Sequence, residues 1–463
     1  LLTDLSFLNP GEPWPPVSEI SRLQKYEENK KLFKGKHDEI FKDWIRILRE
    51  EQNASLLLIF NWHKRLSTLW GDLLLSEEPR FSAGQYGSRE DEELRRIIEK
   101  SDLINTAYQV VLDISRYGTG LFNIRNGKVD LTTPSIWFPV VSPDNIKEEQ
   151  YHVLAWKVKR GEDEILKAQI HERGKYIANE YLLAGEKIER LLSTEEVSTG
   201  LSDFAIIPVH NTVESDEYFG IDDYTDIDGI IQELEVRVSQ ISRVLDKHSD
   251  PNMYGDESAL ELDPATGVEI FRGGGKYFPV PLGGTPPGYV VWDAKLESNW
   301  KEIEILMQQL YIISETSEAC FGQLKQGMVE SGSALKRLMI TPLAKAQRLR
   351  MRLDPALKKA IKLCSQTGEV NLTEKPINIA WQDGIPSDDK EQAEVMAIRT
   401  GSTGGARTLS VRTAIKRMDN MSDAEVESEM ERIAEDLAAE NALDTGGFGA
   451  GDDDDDDGGG GDE

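Results

Sequence analysis

Two amphipathic helices of similar length, separated by a segment of a different character, constrain this chain more than any other feature. From Thr225 to Lys247, residues Ile227, Ile230, Ile231, Leu234, Val238, Ile241, Val244 and Leu245 fall on one helical face. The spacing predicts a helix of roughly 22 residues, about 33 Å long at 1.5 Å per residue. Pro251 ends it. Leu296 to Thr316 repeats the pattern with Trp300, Ile303, Leu306, Met307, Leu310 and Ile313. The stretch between them, FRGGGKYFPVPLGGTPPGYVVWDA at 271–294, is therefore expected at the tip of a long helical hairpin.

The glycines of that tip do not make a phosphate loop. A Walker loop needs Gly five residues before Gly-Lys and Ser or Thr after it, whereas Ile270 precedes Gly275-Lys276 and Tyr277 follows. A slack linker fits no better. Phe271, Tyr277, Phe278, Tyr289, Val290, Val291 and Trp292 are strand formers, grouped as three short strands with Gly and Pro at the turns, so a small β-rich module is expected.

The rest reads as an α+β, mainly helical fold. Residues 17–50 alternate charges with spaced apolar positions and predict helix, as does Leu56–Leu75 with Leu66, Leu69, Trp70 and Leu73 on one stripe. Asp102–Arg116 is a third helix, stopped by Gly118 and Gly120. From Gly120 to His210 the period changes to two, which predicts an antiparallel meander with a tight hairpin at Asn126-Gly127. A long helix is expected from Ser333 to Ser365, kinked or broken at Pro342 and Pro355. After a short strand at 377–381, helices are expected at 387–399, 410–418 and Ser422–Ala439. Ser422 and Glu425 form a capping box for the last.

The formal charge of the 463 residues is −30, which disfavours a generally DNA- or membrane-adhesive surface. Against that background the 333–365 helix is a basic island, with Lys336, Arg337, Lys345, Arg348, Arg350, Arg352, Lys358, Lys359 and Lys362 against one acid, Asp354. It could approach a nucleic-acid backbone or pair with acidic faces of neighbouring subunits, and the acid surplus of the chain favours the second. From Asp444 onward nine acids and no base occur, so this tail is expected to be disordered. No membrane span and no signal peptide are expected. Two cysteines, Cys320 and Cys364, supply neither a disulfide framework nor a zinc spacing.

Catalytic patterns are missing from the sequence. The acids of DDYTDIDG at 222–229 lack the first ligand of a calcium loop, where Tyr224 stands, and suit a helix N-terminus instead. The six histidines lie singly, without metal-ligand spacing, and no nucleophile elbow, dinucleotide fingerprint or kinase set appears. No enzyme, cofactor or metal is expected.

The order of elements carries a resemblance. FNWHKRLSTLWGDLLLSEEP at 60–79, a meander, GIDDYTDIDGIIQELEVRVSQISRVL at 220–245, a β-rich tip, a returning helix, a loop, SGSALKRLMITPLAKAQRLRMRL at 331–353 and DAEVESEMERIAE near the end together resemble the portal protein of tailed bacteriophages, over about residues 20 to 440. Its most specific parts are the helix starts Gly-Ile-Asp-Asp-Tyr and Ser-Gly-Ser-Ala-Leu. The resemblance implies a ring of about twelve subunits at one capsid vertex, through which double-stranded DNA is packaged and ejected. In family terms 1–224 and 333–400 are the wing, 225–248 and 296–316 the two stem helices, 249–295 the clip, 317–332 the tunnel loop, 401–443 the crown and 444–463 the acidic tail. It further implies DNA-facing Gln323, Lys325, Gln326 and Met328 in the tunnel loop. Arg272, Lys276, Tyr277, Phe278, Tyr289 and Trp292 of the clip would face the terminase large subunit or a head-tail adaptor. Lys336, Arg337, Lys345, Arg348, Arg350 and Arg352 would lie between subunits. Major capsid protein and scaffold are the other implied partners, the virion the implied location, assembled in the host cytoplasm. The alternatives are another virion structural or adaptor protein, or a carbohydrate- or nucleotide-active enzyme with the hairpin as an arm.

Overall fold

The computed structural model describes residues 1–41, 58–85, 87–249, 253–256, 260–262, 264–265, 267, 269–270, 277–280, 288–289, 296–323, 336–382, 389–402, 404, 406–418, 421 and 423–445. They form a mixed fold of helices and antiparallel sheets. The chain divides into two compact units, residues 1–84 with 89–385 and residues 85–88 with 386–463.

In the first unit the helices Trp62–Leu75, Arg89–Ser101, Leu103–Tyr117 and Ile340–Ser365 surround the largest core. Trp70, Leu74, Leu94, Ile97, Leu103, Phe122, Leu357, Ala360 and Ile361 are buried there. Each buried Leu, Ile or Phe among them contributes about 1.5–3 kcal/mol. The start at Trp62 corrects the helix expected from Leu56. Asn61 caps it, its side chain accepting from the Lys64 amide, while the amides of Leu58 and Phe60 go to side chains of another helix. The expected helix over 17–50 likewise shortens to Ile20–Phe33 and a turn at His37–Ile40. Gly35 between them has φ +74°, a left-handed step that ends helices. Residues 42–50 lie outside the described residues.

The expected single meander is two sheets. β2 (Thr119–Arg125) pairs with β3 (Lys128–Leu131) through Asn126-Gly127, whose φ values of 54° and 64° suit a type I′ turn, and on its other edge with β9 (Ile206–His210). β4 (Trp137–Val141), β5 (Glu149–Arg160), β6 (Asp163–Glu172), β7 (Lys175–Ala184) and β8 (Lys187–Ser198) follow as a five-stranded antiparallel sheet in sequence order. The split follows from burial of β2 on both faces. Phe122 and Ile124 enter the helical core, whereas Leu121 joins Trp137, Leu154 and Tyr218 in another, so β2 is central and recruits β9. Among the short strands, β1 (Arg80–Ala83) pairs with β15 (Ile377–Ala380).

The Ile340–Ser365 helix continues through Pro355 without a break, where a kink or a break was expected. Pro355 lies on the exposed side, where water can serve the carbonyl that loses its donor. Pro342 sits in the first turn, which needs no intrahelical donor. The second unit contains the helices Asp389–Thr400, Val411–Met418 and Asp423–Thr445. The last takes in Asp444, and the remaining tail, 446–463, lies outside the described residues.

Candidate functional site

The predicted hairpin forms from Asp228–Ser249 and Leu296–Ile313. Ile231, Leu234 and Leu310 are buried between the two helices with Ile227 and with Leu66 of the body, and Ile303, Leu306 and Met307 pack against them. Apolar contact alone does not fix where the hairpin leaves the body; a polar network at its root does. Glu235, on the same side of the helix as Leu234, lies 2.6 Å from Nδ1 of fully buried His37 and accepts the Phe60 amide at 2.9 Å. One turn on, Ser239 accepts the Leu58 amide. Two turns earlier, Asp228 meets His63 Nε2 at 2.9 Å and Lys25 at 3.1 Å. Tyr224, also fully buried, shares its hydroxyl with Ser67, which reaches Ser115. Burial holds the His63 pKa below its ordinary value against the pull of Asp228. A carboxylate as enclosed as Glu235 is costly unless paired, so this pairing favours one seating of the hairpin.

The predicted basic helix lies across that root. Lys345 is buried, 2.8 Å from Asp223 and over the Trp70 ring at 4.4 Å. Asp223 also accepts from Asn211 at 2.9 Å. Arg348 pairs with Glu315, just past the returning helix. Arg350 donates to the Gln382 carbonyl at 2.6 Å and stacks over Trp381, Lys358 meets Asp354 and Lys359 meets Asp203, both at 2.7 Å. Much of the island is thus neutralised by acids and carbonyls of its own chain. Arg352 is half-buried, and burial together with neighbouring Arg348 lowers its pKa. It lines a cavity of about 160 Å³ with Asp223, Asp226, Glu315 and Arg348. Lys336 and Arg337 are exposed.

At the tip, β13 (Tyr277–Val280) lies parallel and β14 (Gly288–Tyr289) antiparallel to β10 (Met253–Asp256), which is central. Two of the strands expected within 271–294 are these, and the strand between them comes from just after Pro251; Phe271 and 290–292 lie outside the described residues. A second small pair joins β11 (Glu261–Leu262) to β12 (Glu269–Ile270). Tyr277 and Tyr289 both fall opposite Met253 in register, and Phe278 is half exposed. Arg272, Lys276 and Trp292 lie outside the described residues.

Of the loop set, Gln323 is exposed behind a 3-10 turn at Glu318–Phe321; Lys325, Gln326 and Met328 lie outside the described residues. The loop's root is well anchored. Phe321 stands edge to face with Trp62 at 5.1 Å, stacks on Tyr311 at 5.9 Å and lies under Arg65, while Cys320 Sγ approaches Met339 Sδ at 3.4 Å. Among the described residues no group of His, Cys, Asp and Glu is placed to hold a metal ion, and no helix is long and apolar enough to cross a membrane. Sequence reasoning missed the root network. The available signal was a carboxylate, Glu235, beside Leu234 in the apolar stripe; its partner His37 is 198 residues away.

Comparison with known proteins gives one broad match. A family model described as "Phage portal protein, SPP1 Gp6-like" matches residues 18–442. No curated protein matches the chain. Among solved structures, a chain in the virion of the native gene transfer agent particle is similar at 12% identity and a TM-score of 0.46, over 89% of this chain and 96% of that one. A chain in the neck of the empty particle computed with C6 symmetry has 12% identity and a TM-score of 0.47 with the same coverage. One in the neck of the native particle computed with C12 symmetry has 12% and 0.41, over 77% and 89%.

Proposed function

This chain belongs to the SPP1 Gp6-like family of phage portal proteins, a structural family, and from that premise we propose that its copies close into a ring of about twelve subunits at one capsid vertex. Double-stranded DNA passes through the ring during packaging and ejection. In this reading 225–248 and 296–316 are stem, 249–295 clip, 317–332 tunnel loop, 401–443 crown, and 1–224 with 333–400 wing. The clip, on which Phe278 is half exposed, takes the terminase large subunit and later a head-tail adaptor. Lys325 meets passing DNA from the tunnel loop, and capsid protein and scaffold surround the ring in the virion.

One observation carries the reading beyond family membership. The hairpin buries its inner face, yet its outer face keeps Ile305 and Ile312 half and two-thirds exposed. Apolar residues recurring along an extended helix ask for a cover, and a heterologous interface repeated by rotation supplies one to every copy. Within the basic island, Lys336 and Arg337 are exposed at its start and are assigned to contacts between subunits. Native mass measurement and electron microscopy of the purified assembly test this. The expected result is a particle of about twelve copies with a central channel, and a monomer or a channel-less particle overturns it.

A further inference from the structure

The second unit contains an apolar stripe that is covered for only half its length. On the Asp423–Thr445 helix, Val426, Met430, Ile433 and Leu437 recur at spacings of four, three and four, the seam along which another helix packs. Val426 is fully buried, Met430 and Ile433 are half-buried, and Leu437 is 53% exposed. The cover over the first part is the Val411–Met418 helix, with Ala414 buried and Arg412 paired to Glu427. That cover carries Arg412, Lys416 and Arg417 within eight residues, so it is itself a short basic amphipathic helix. Beyond it the stripe runs on from Ile433 to Leu437, about 6 Å at 1.5 Å per residue, before Glu440 and Asp444 take its next positions.

The charge of the helix decides what completes the cover. It bears nine acids and one base, Arg432, and Arg432 is bridged to Glu429. Glu431, Glu435 and Asp436 remain exposed around the open half. A second copy of the same helix would set like charges against each other along the seam. A helix with an apolar stripe edged by Lys or Arg repeats the chemistry already used over the first half. We propose that the open half of the stripe, centred on Ile433 and Leu437, docks a basic amphipathic helix of a partner protein.

The test uses the purified full-chain assembly and two labelled 18-residue peptides of leucine and lysine, one arranged with a single apolar face and one scrambled to have none. The amphipathic peptide is expected to bind about tenfold or more tightly than the scrambled one. Ile433→Asp/Leu437→Asp should erase the difference while the particle mass stays constant. Glu435→Lys/Asp436→Lys, which keeps the apolar stripe, should weaken the amphipathic peptide several-fold. Equal binding of the two peptides would show attraction by charge alone and overturn the proposal. So would a fall in particle mass on Ile433→Asp/Leu437→Asp, which would assign the stripe to a second copy.

Discussion

The imidazoles of His37 and His63 stand edge to face with ring centroids 4.9 Å apart, and each hydrogen-bonds a carboxylate of one helix, Glu235 at 2.6 Å and Asp228 at 2.9 Å. Seven residues separate the two acids, about two helical turns, so both project from the same side toward the body. The pair fixes the rotation of the hairpin's first helix about its axis, while the apolar contacts of Ile231 and Leu234 fix its depth. In the proposed ring, a small error in hairpin direction would repeat at every interface. A polar staple at the root is a physical means of preventing it.

Breaking the staple should therefore be costly. Glu235→Ala leaves His37 and the Phe60 amide without their acceptor in a buried site, and is expected to lose about 3–5 kcal/mol of stability. Glu235→Gln keeps an acceptor for the amide and should lose less. Urea unfolding of both variants, with His37→Ala and the double variant completing a cycle, measures the coupling. Additive losses would show that the two residues act independently.

The outer face of the hairpin gives the complementary case, in which folding and assembly separate. Ile305 and Ile312 are exposed within one chain, so Ile305→Glu/Ile312→Glu should change the unfolding free energy of the subunit by less than about 1 kcal/mol. The same change should prevent ring closure. Native mass spectrometry is expected to show monomers or short arcs, with a circular dichroism spectrum like that of the parent.

Acid should destabilise the subunit through two buried histidines. Burial lowers His171 and His210 from 6.5 to about 4, so the unfolded chain binds protons that the folded one refuses. Their contribution is complete above pH 6.5 and is lost as pH falls toward 4. Asp113 runs the other way: burial raises it from 3.8 to about 6, which favours the folded state at low pH. Taken together, these three groups contribute a loss of about 1.4 kcal/mol per pH unit as pH falls from 6 to 4. Neither ring nitrogen of His171 has a hydrogen-bond partner, and its ring stacks on Tyr176 at 5.1 Å. His171→Phe is thus expected to raise the urea midpoint at pH 7 by about 1 kcal/mol equivalent and to flatten the decline between pH 6.5 and 4.5.

The proposed DNA contact is testable apart from assembly. Lys325→Ala is expected to leave particle mass unchanged and to reduce the DNA packaged or retained in assembled virions, with a smaller effect at higher salt because a single phosphate contact is weak and screened. Quantifying encapsidated DNA in parent and variant particles checks this, and unchanged packaging and ejection would remove Lys325 from the channel's function.

What was legible in the sequence follows the range of the interaction concerned. The hairpin helices, the Asn126-Gly127 turn and the three last helices depend on periodicity and local turn chemistry, and they appear within a few residues of where those signals put them. The start of the Trp62–Leu75 helix was misplaced because Glu235 and Ser239, about 175 residues on, take the amides of Phe60 and Leu58. The split of the meander was hidden for a similar reason. Pairing of β2 with β9 joins Thr119 to His210, and nothing local marks it. The basic island was visible as composition, yet the acids that answer it, Asp223, Glu315 and Asp203, come from three separate segments. Charge counts carry no such positions.

The approach to the hairpin also contains a steric constraint set by backbone on both sides. Gly118 has φ +75°, and a Cβ on it would lie 2.0 Å from the carbonyl oxygen of Gly220; a Cβ on Gly220 would lie 2.0 Å from the carbonyl oxygen of Gly118. The two backbones are this close because Asn211 N donates to Gly118 O at 2.8 Å and Asp223 N to Ser115 O at 2.8 Å, tying the strand that precedes the hairpin to the end of the Leu103–Tyr117 helix. Neither contact can relax by turning a side chain, since both obstacles are backbone. Gly220→Ala should therefore cost several kcal/mol, about the scale of a severe overpacking defect, and should loosen the seating of Asp223 against Lys345. Gly161→Ala is the control, with φ +68° and open space around it, so that only the left-handed strain of about 1–2 kcal/mol applies. Thermal and urea unfolding of the two variants should differ by at least about 2 kcal/mol, and equal losses would mean that the 118–220 approach opens without penalty.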